Sequence, residues 1–167
     1  MPKFEVGELL EVPVSNKCII DREQLKSFFD EHSDDMGECG CYVFVAIRKR
    51  TKEKIPIYVG KATVTFAQEC FNTRNIKLLN EYLVMNNKSE LWLMLIKHPV
   101  QRGVTNTKAI REMEKSLIEY AAMANDRDLI NVQGTGQPNW SIRGVIRSDG
   151  RKGGNNARMF KEIFHLD

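Results

Sequence analysis

Three short stretches of the chain carry apolar side chains at almost every position. Residues 41–47 run through Tyr42, Val43, Phe44 and Val45, and residues 91–96 through Leu91, Trp92, Leu93 and Met94. Runs this short and this rich in β-branched and aromatic residues predict strands apolar on both faces. Between them, Ile55, Ile57, Tyr58 and Val59 predict another strand, and Pro56, which lacks an N–H, places its start or a free edge there. The charged run Arg48-Lys49-Arg50-Thr51-Lys52-Glu53-Lys54 predicts the hairpin turn joining these two strands. Gly60-Lys61-Ala62 then predicts a turn into a helical stretch over residues 66–85, broken near Asn72-Thr73. A long helix capped by Thr105-Asn106-Thr107 follows to about residue 125. Upstream, Asp21 with Gln24 three residues later resembles a helix start, opening a short helix through Leu25, Phe28 and Phe29. Residues 4–14 alternate loosely and predict an extended segment, and residues 32–37 a loop. The order strand, strand, helix, strand, helix predicts a small α/β layer structure.

Length and composition narrow the class without changing this picture. The 167 residues match one domain, and 42% hydrophobic with 28% charged residues excludes collagen-like, coiled-coil and fully disordered chains. No apolar run approaches the roughly 18 residues that span a bilayer. Met1-Pro2-Lys3-Phe4-Glu5 lacks the basic-then-apolar start of a secretory signal, which predicts a cytoplasmic chain with no membrane partner. Cys18, Cys39, Cys41 and Cys70 are then expected as reduced thiols, since Cys39-Gly40-Cys41 has no second metal-ligand pair. His32, His98 and His165 show no metal-ligand spacing. Charge is unevenly spread: residues 1–38 hold 4 basic and 10 acidic residues, the rest 21 basic and 12 acidic. The basic part suits a polyanion such as nucleic acid. These shifts divide the chain into an acidic N-terminal extension (1–37), a core (38–134) and a basic C-terminal extension (135–167).

The helix over residues 107–124 carries the most informative conflict. At about 100° per residue, Ile110, Met113, Leu117, Ile118 and Ala121 form one stripe, and Glu114 falls near its centre. A carboxylate aimed at a core is costly unless a cation, a metal or hydrogen-bond donors receive it. It marks either a buried ion pair or a catalytic carboxylate in a cleft. Tyr42 and Tyr58 sit in adjacent strands, where a suitable register brings both hydroxyls to one patch. Gly60 lets the backbone approach closely and Lys61 supplies a cation.

Together, Gly40-Cys41-Tyr42, Tyr58-Val59-Gly60 with Lys61, the Glu114 helix and Asn131 resemble, in that order, a GIY-YIG nuclease domain over residues 38–134. The resemblance implies a three-stranded antiparallel sheet flanked by helices. It also implies a DNA endonuclease, a hydrolase of phosphodiester bonds, with Mg²⁺ or Mn²⁺ on Glu114 and with Tyr42, Tyr58 and Lys61 in the catalytic set. One tyrosine would take the proton of the attacking water, with Lys61 and the metal as candidates for lowering its pKa, or Lys61 would instead contact phosphate. Gly40, Gly60 and Asn131 would support the site. Two departures stand out. The Tyr42–Tyr58 interval is longer than the family's, and the family's arginine, about ten residues after the second tyrosine, is replaced by Gln68 and Glu69. Arg74, or Arg143 and Arg147, are the candidate substitutes. The basic tail, with Trp140, Arg143, Arg147 and Arg151, is expected to clamp duplex or single-stranded DNA beside Lys61 and Arg74. Two other readings remain: a nucleic-acid-binding module of the same fold impaired in cleavage, and a protein-interaction component of a defence or mobile-element system.

Overall fold

The computed structural model describes residues 2–99, 103–125, 129–131, 141–143, 145 and 153–166. Its centre is an α+β sheet in the order β3-β2-β4-β1-β5. β2 (Gly40–Arg48) and β3 (Lys54–Ala62) form the hairpin foreseen from the charged turn, and β4 (Ser89–Lys97) pairs antiparallel with the other side of β2. Every residue of β2 from Gly40 to Ile47 is buried, because helices cover both faces.

The expected count of three strands is too low. β1 (Lys3–Glu11) pairs antiparallel with β4, which gives four antiparallel strands, and β5 (Ser141–Ile142) adds a two-residue parallel contact to β1. The loose alternation of β1 has a local cause. Its register slips between Val6 and Leu9, and a bulge of this kind breaks the period of two. Residues 1–37 therefore supply a sheet strand and, through Leu25 and Phe28 of α1 (Arg22–Glu31), part of one core. The boundary expected at residue 37 coincides with no break in the fold.

The remaining elements follow the apolar periodicity closely. Asp21 caps α1, its Oδ1 accepting from the backbone N–H groups of Glu23 and Gln24. The segment expected as a loop contains one turn of helix, α2 (Ser33–Met36), because Met36 is drawn into the core. The stretch after β3 is two helices, α3 (Phe66–Glu69) and α4 (Thr73–Met85), divided at Asn72, whose side chain caps α4. α5 (Thr107–Ala124) starts at Asn106, which caps it through the N–H of Ala109, and α6 (Asn155–Phe164) completes the fold.

The result is three layers. On one face of the sheet Tyr42, Phe44, Ile57, Leu93 and Leu95 meet Leu25, Phe28, Phe66, Leu79 and Leu83. On the other, Cys41, Val43, Val59, Met94 and Ile96 meet Ile110, Met113 and Leu117 of α5 and Phe160 and Ile163 of α6. All four cysteines are free. Among the described residues no helix is long and apolar enough to cross a membrane.

Candidate active site

The two tyrosines meet as their spacing requires. Tyr42 pairs across the hairpin with Gly60 and Phe44 with Tyr58, so the tyrosines are diagonal neighbours on one face, ring centroids 6.3 Å apart. The glycine opposite Tyr42 is needed for this contact, because a Cβ at Gly60 would collide with the Tyr42 ring and hydroxyl. Gly40 is also constrained: its φ of +146° is open to glycine, and a Cβ there would strike the Ile96 carbonyl. The expected turn at Gly60-Lys61-Ala62 is instead continued strand, with Ala62 opposite Gly40.

Strand alternation sends Lys61 to the opposite face from the tyrosines, toward α5. There its Nζ donates to Glu114 Oε2 at 2.6 Å. The Glu114 side chain is 17% exposed and that of Lys61 37%, so the carboxylate misplaced on the α5 stripe is received by a cation of the neighbouring strand. The tyrosine pair and the ion pair thus start from opposite faces of β3. They are coupled at that strand, because the negative charge of Glu114 acts on Tyr58.

The outer edge of β3 is held by the segment after α5. Asn131 Oδ1 accepts from the Val59 N–H at 2.6 Å and its Nδ2 donates to the Val59 carbonyl at 2.7 Å. The Ile130 N–H donates to the Ile57 carbonyl, and Asn125 Nδ2 to that of Pro56. Asn131 therefore clamps the residue beside Tyr58 with the same two-bond pattern a neighbouring strand would use.

The hydroxyls differ in their environments. Tyr42 is 2% exposed, donates to the Glu69 carbonyl at 3.3 Å and accepts from Asn75 Nδ2 at 2.9 Å. Burial, reinforced by neighbouring Cys70 and Tyr58, pushes its pKa well above the usual phenol value. Tyr58 is half-buried, and burial raises its pKa too, against the opposing pull of the Arg74 guanidinium. The expectation that Lys61 lowers a tyrosine pKa is not met: Lys61 is spent on Glu114, and the cation acting on Tyr58 is Arg74.

The two candidate substitutes for the missing arginine are separated by the fold. Arg74, second residue of α4, precedes Asn75, which holds Tyr42. Arg143 follows β5, at the opposite edge of the sheet from β3. It pairs there with Glu5 at 3.3 Å, about 19 Å of strand spacings away. The expected clamp beside Lys61 does not include it. Trp140, Arg147 and Arg151 lie outside the described residues.

Asn75 is the site residue that pattern reading missed. It is 2% exposed, and its Nδ2 lies within hydrogen-bond distance of the Tyr42 hydroxyl and the Glu69 and Cys70 carbonyls. The Glu69 carbonyl also accepts from Asn72. At the position where the resemblance leads one to expect an arginine, the main chain anchors Tyr42. The sole signal was a second asparagine three residues after a helix cap.

Among the described residues no three His, Cys, Asp or Glu side chains gather to hold a metal. One carboxylate nevertheless fits Mg²⁺, which keeps several waters and takes one or two carboxylates plus substrate phosphate oxygens. Glu114 is that carboxylate, with an ammonium seated on one oxygen. Comparison of the chain with protein-family models, with curated proteins and with solved structures found no match.

Proposed function

We propose that the chain is a divalent-metal-dependent endonuclease that hydrolyses phosphodiester bonds in DNA, a divergent enzyme of the GIY-YIG type. The observation that carries this reading is the assembly on β3. Tyr58 lies in the field of Arg74, Lys61 is bound to Glu114 of α5, and Asn131 clamps the strand between them. The order of elements around it, β2-β3-α3-α4-β4-α5, is the order of the resemblance.

In this reading Glu114 would hold Mg²⁺ or Mn²⁺, and the metal would supply charge neutralisation at the phosphate and the leaving oxygen. Arg74 supplies the positive charge that Gln68 and Glu69 do not. Tyr58, the tyrosine with an exposed side, is a neutral phenol at pH 7, since its pKa lies above the ordinary value of about 10. Its hydroxyl orients the attacking water or a phosphate oxygen by hydrogen bonding. Tyr42 touches no substrate and positions Tyr58 through ring contact.

A second reading has specific support. Glu69 in place of an arginine, and a protein cation already on Glu114, both suit a module that binds DNA without cutting it. The ion pair also suits an interaction protein in which these residues are structural. One experiment separates the three: supercoiled plasmid and a single-stranded oligonucleotide are incubated with Mg²⁺ or Mn²⁺. The enzyme reading expects nicking that chelator and Glu114→Ala abolish and that Tyr58→Phe slows about 100-fold. Absence of nicking by folded wild type overturns it for these substrates. Salt-dependent binding then selects the binding module, and its absence the interaction protein.

A further inference from the structure

The Lys61–Glu114 contact occupies the carboxylate on which the proposed metal would sit. We infer that Lys61 is an internal counter-ion latch, which holds Glu114 until nucleic acid draws the ammonium away, so that metal and DNA bind with positive coupling. The inference rests on the metal reading of Glu114 and adds how that site is regulated.

The geometry supplies the asymmetry a latch needs. Glu114 projects from the middle of an 18-residue helix between Met113 and Leu117, both fully buried, and its own side chain is 17% exposed. It is the fixed partner. Lys61 projects from the edge strand β3, is more than twice as exposed, and carries its charge on a flexible four-carbon stem. It is the partner free to leave. A carboxylate this sheltered is costly without a cation, so the ammonium stabilises the metal-free site. At 2.6 Å the ammonium is seated on Oε2, and a divalent cation on the same carboxylate would be repelled by it.

A phosphodiester changes the balance. It offers Lys61 another anion, which the ammonium, on a side chain 37% exposed against 17% for Glu114, can reach from the solvent side. Once Lys61 turns to phosphate, Glu114 is left unpaired and its affinity for a divalent cation rises. Linkage requires the reverse as well: metal on Glu114 releases Lys61 and tightens DNA binding by the same factor. The device keeps the site closed to divalent cations while no substrate is bound.

The test is Mn²⁺ binding, read by the electron paramagnetic resonance of the free ion at fixed pH. It is done with and without a phosphorothioate duplex that resists cleavage. Wild type is expected to bind Mn²⁺ weakly alone and about tenfold more tightly with DNA. Lys61→Met, which keeps the stem and removes the charge, is expected to bind Mn²⁺ about tenfold more tightly than wild type without DNA and to lose the DNA dependence. Equal Mn²⁺ affinity in wild type with and without DNA overturns the latch even if Lys61→Met does not fold. So does a folded Lys61→Met that binds no more tightly. Binding by neither protein overturns the metal role of Glu114 together with the latch. Plasmid nicking by wild type without such coupling overturns the latch alone, whereas coupling without nicking supports the latch and overturns the endonuclease reading for that substrate.

Discussion

Asn75 shows how one buried polar side chain can organise the surroundings of a tyrosine hydroxyl. With Nδ2 shared between the Tyr42 hydroxyl and two carbonyls, it has no spare donor capacity on that nitrogen. Its loss takes this donor from the Tyr42 hydroxyl and the Cys70 carbonyl, while the Glu69 carbonyl keeps Asn72 and Tyr42. Asn75→Ala is expected to cost about 2 kcal/mol in a urea melt. A change below a few tenths would mean that packing and the Glu69 carbonyl hold Tyr42 without Asn75. Arg74 makes a different kind of prediction, because it acts through charge. Removing it takes away the main influence opposing burial at Tyr58. Arg74→Ala should therefore shift the ultraviolet titration of Tyr58, isolated by difference against Tyr58→Phe, to higher pH. An unmoved titration would remove Arg74 from the site. Of these two residues, Arg74 could be shortlisted because a missing arginine called for a substitute. Asn75 could not, because the burial of an asparagine near a helix start depends on what lies beneath it.

At the scale of elements, legibility followed continuity of the apolar signal. β2 and β4 are apolar throughout and α5 has a clean stripe, so their places in the layers could be read directly. The division at Asn72 was also readable, since a capping residue interrupts the helical pattern there. β1 was readable as extended but not as a sheet member, because its bulge spaces the exposed residues Glu5, Glu8 and Glu11 three apart. The end of β3 was misread for a related reason. Gly60 is usually a breaker, yet here it is a strand residue required by the ring opposite. This yields a prediction about the hairpin: Gly60→Ala forces the Tyr42 ring from its place, and near-ultraviolet circular dichroism of the tyrosines should change while far-ultraviolet helix content persists. An unchanged near-ultraviolet spectrum would show that the ring contact is not restrictive.

At the scale of the whole molecule, His98 is a titratable group among the described residues whose burial disfavours acid. His98, just beyond β4, is 3% exposed, lies edge-on to Phe4, and has no hydrogen-bond partner for either ring nitrogen among the described residues. Burial lowers its pKa from the usual value of about 6.5. The unfolded chain therefore binds more protons than the folded one below that pH, and stability falls as pH drops from about 6.5 toward the lower folded value. The melting temperature should decline between pH 7.5 and 5.5, and less steeply in His98→Phe. Parallel slopes would sink the assignment.

The clamp on Val59 has a consequence for how the chain behaves among copies of itself. An edge strand with open N–H and C=O groups is a template for any other strand, and β3 ends one side of the sheet. Asn131 closes that template with two hydrogen bonds from a side chain that cannot propagate a ladder. Asn131→Ala is therefore expected to scatter light increasingly with protein concentration, and a variant as monodisperse as wild type would refute this. The hold on the residue beside Tyr58 and the closing of the sheet edge at Val59 then share one amide, so selection acting on either would preserve both.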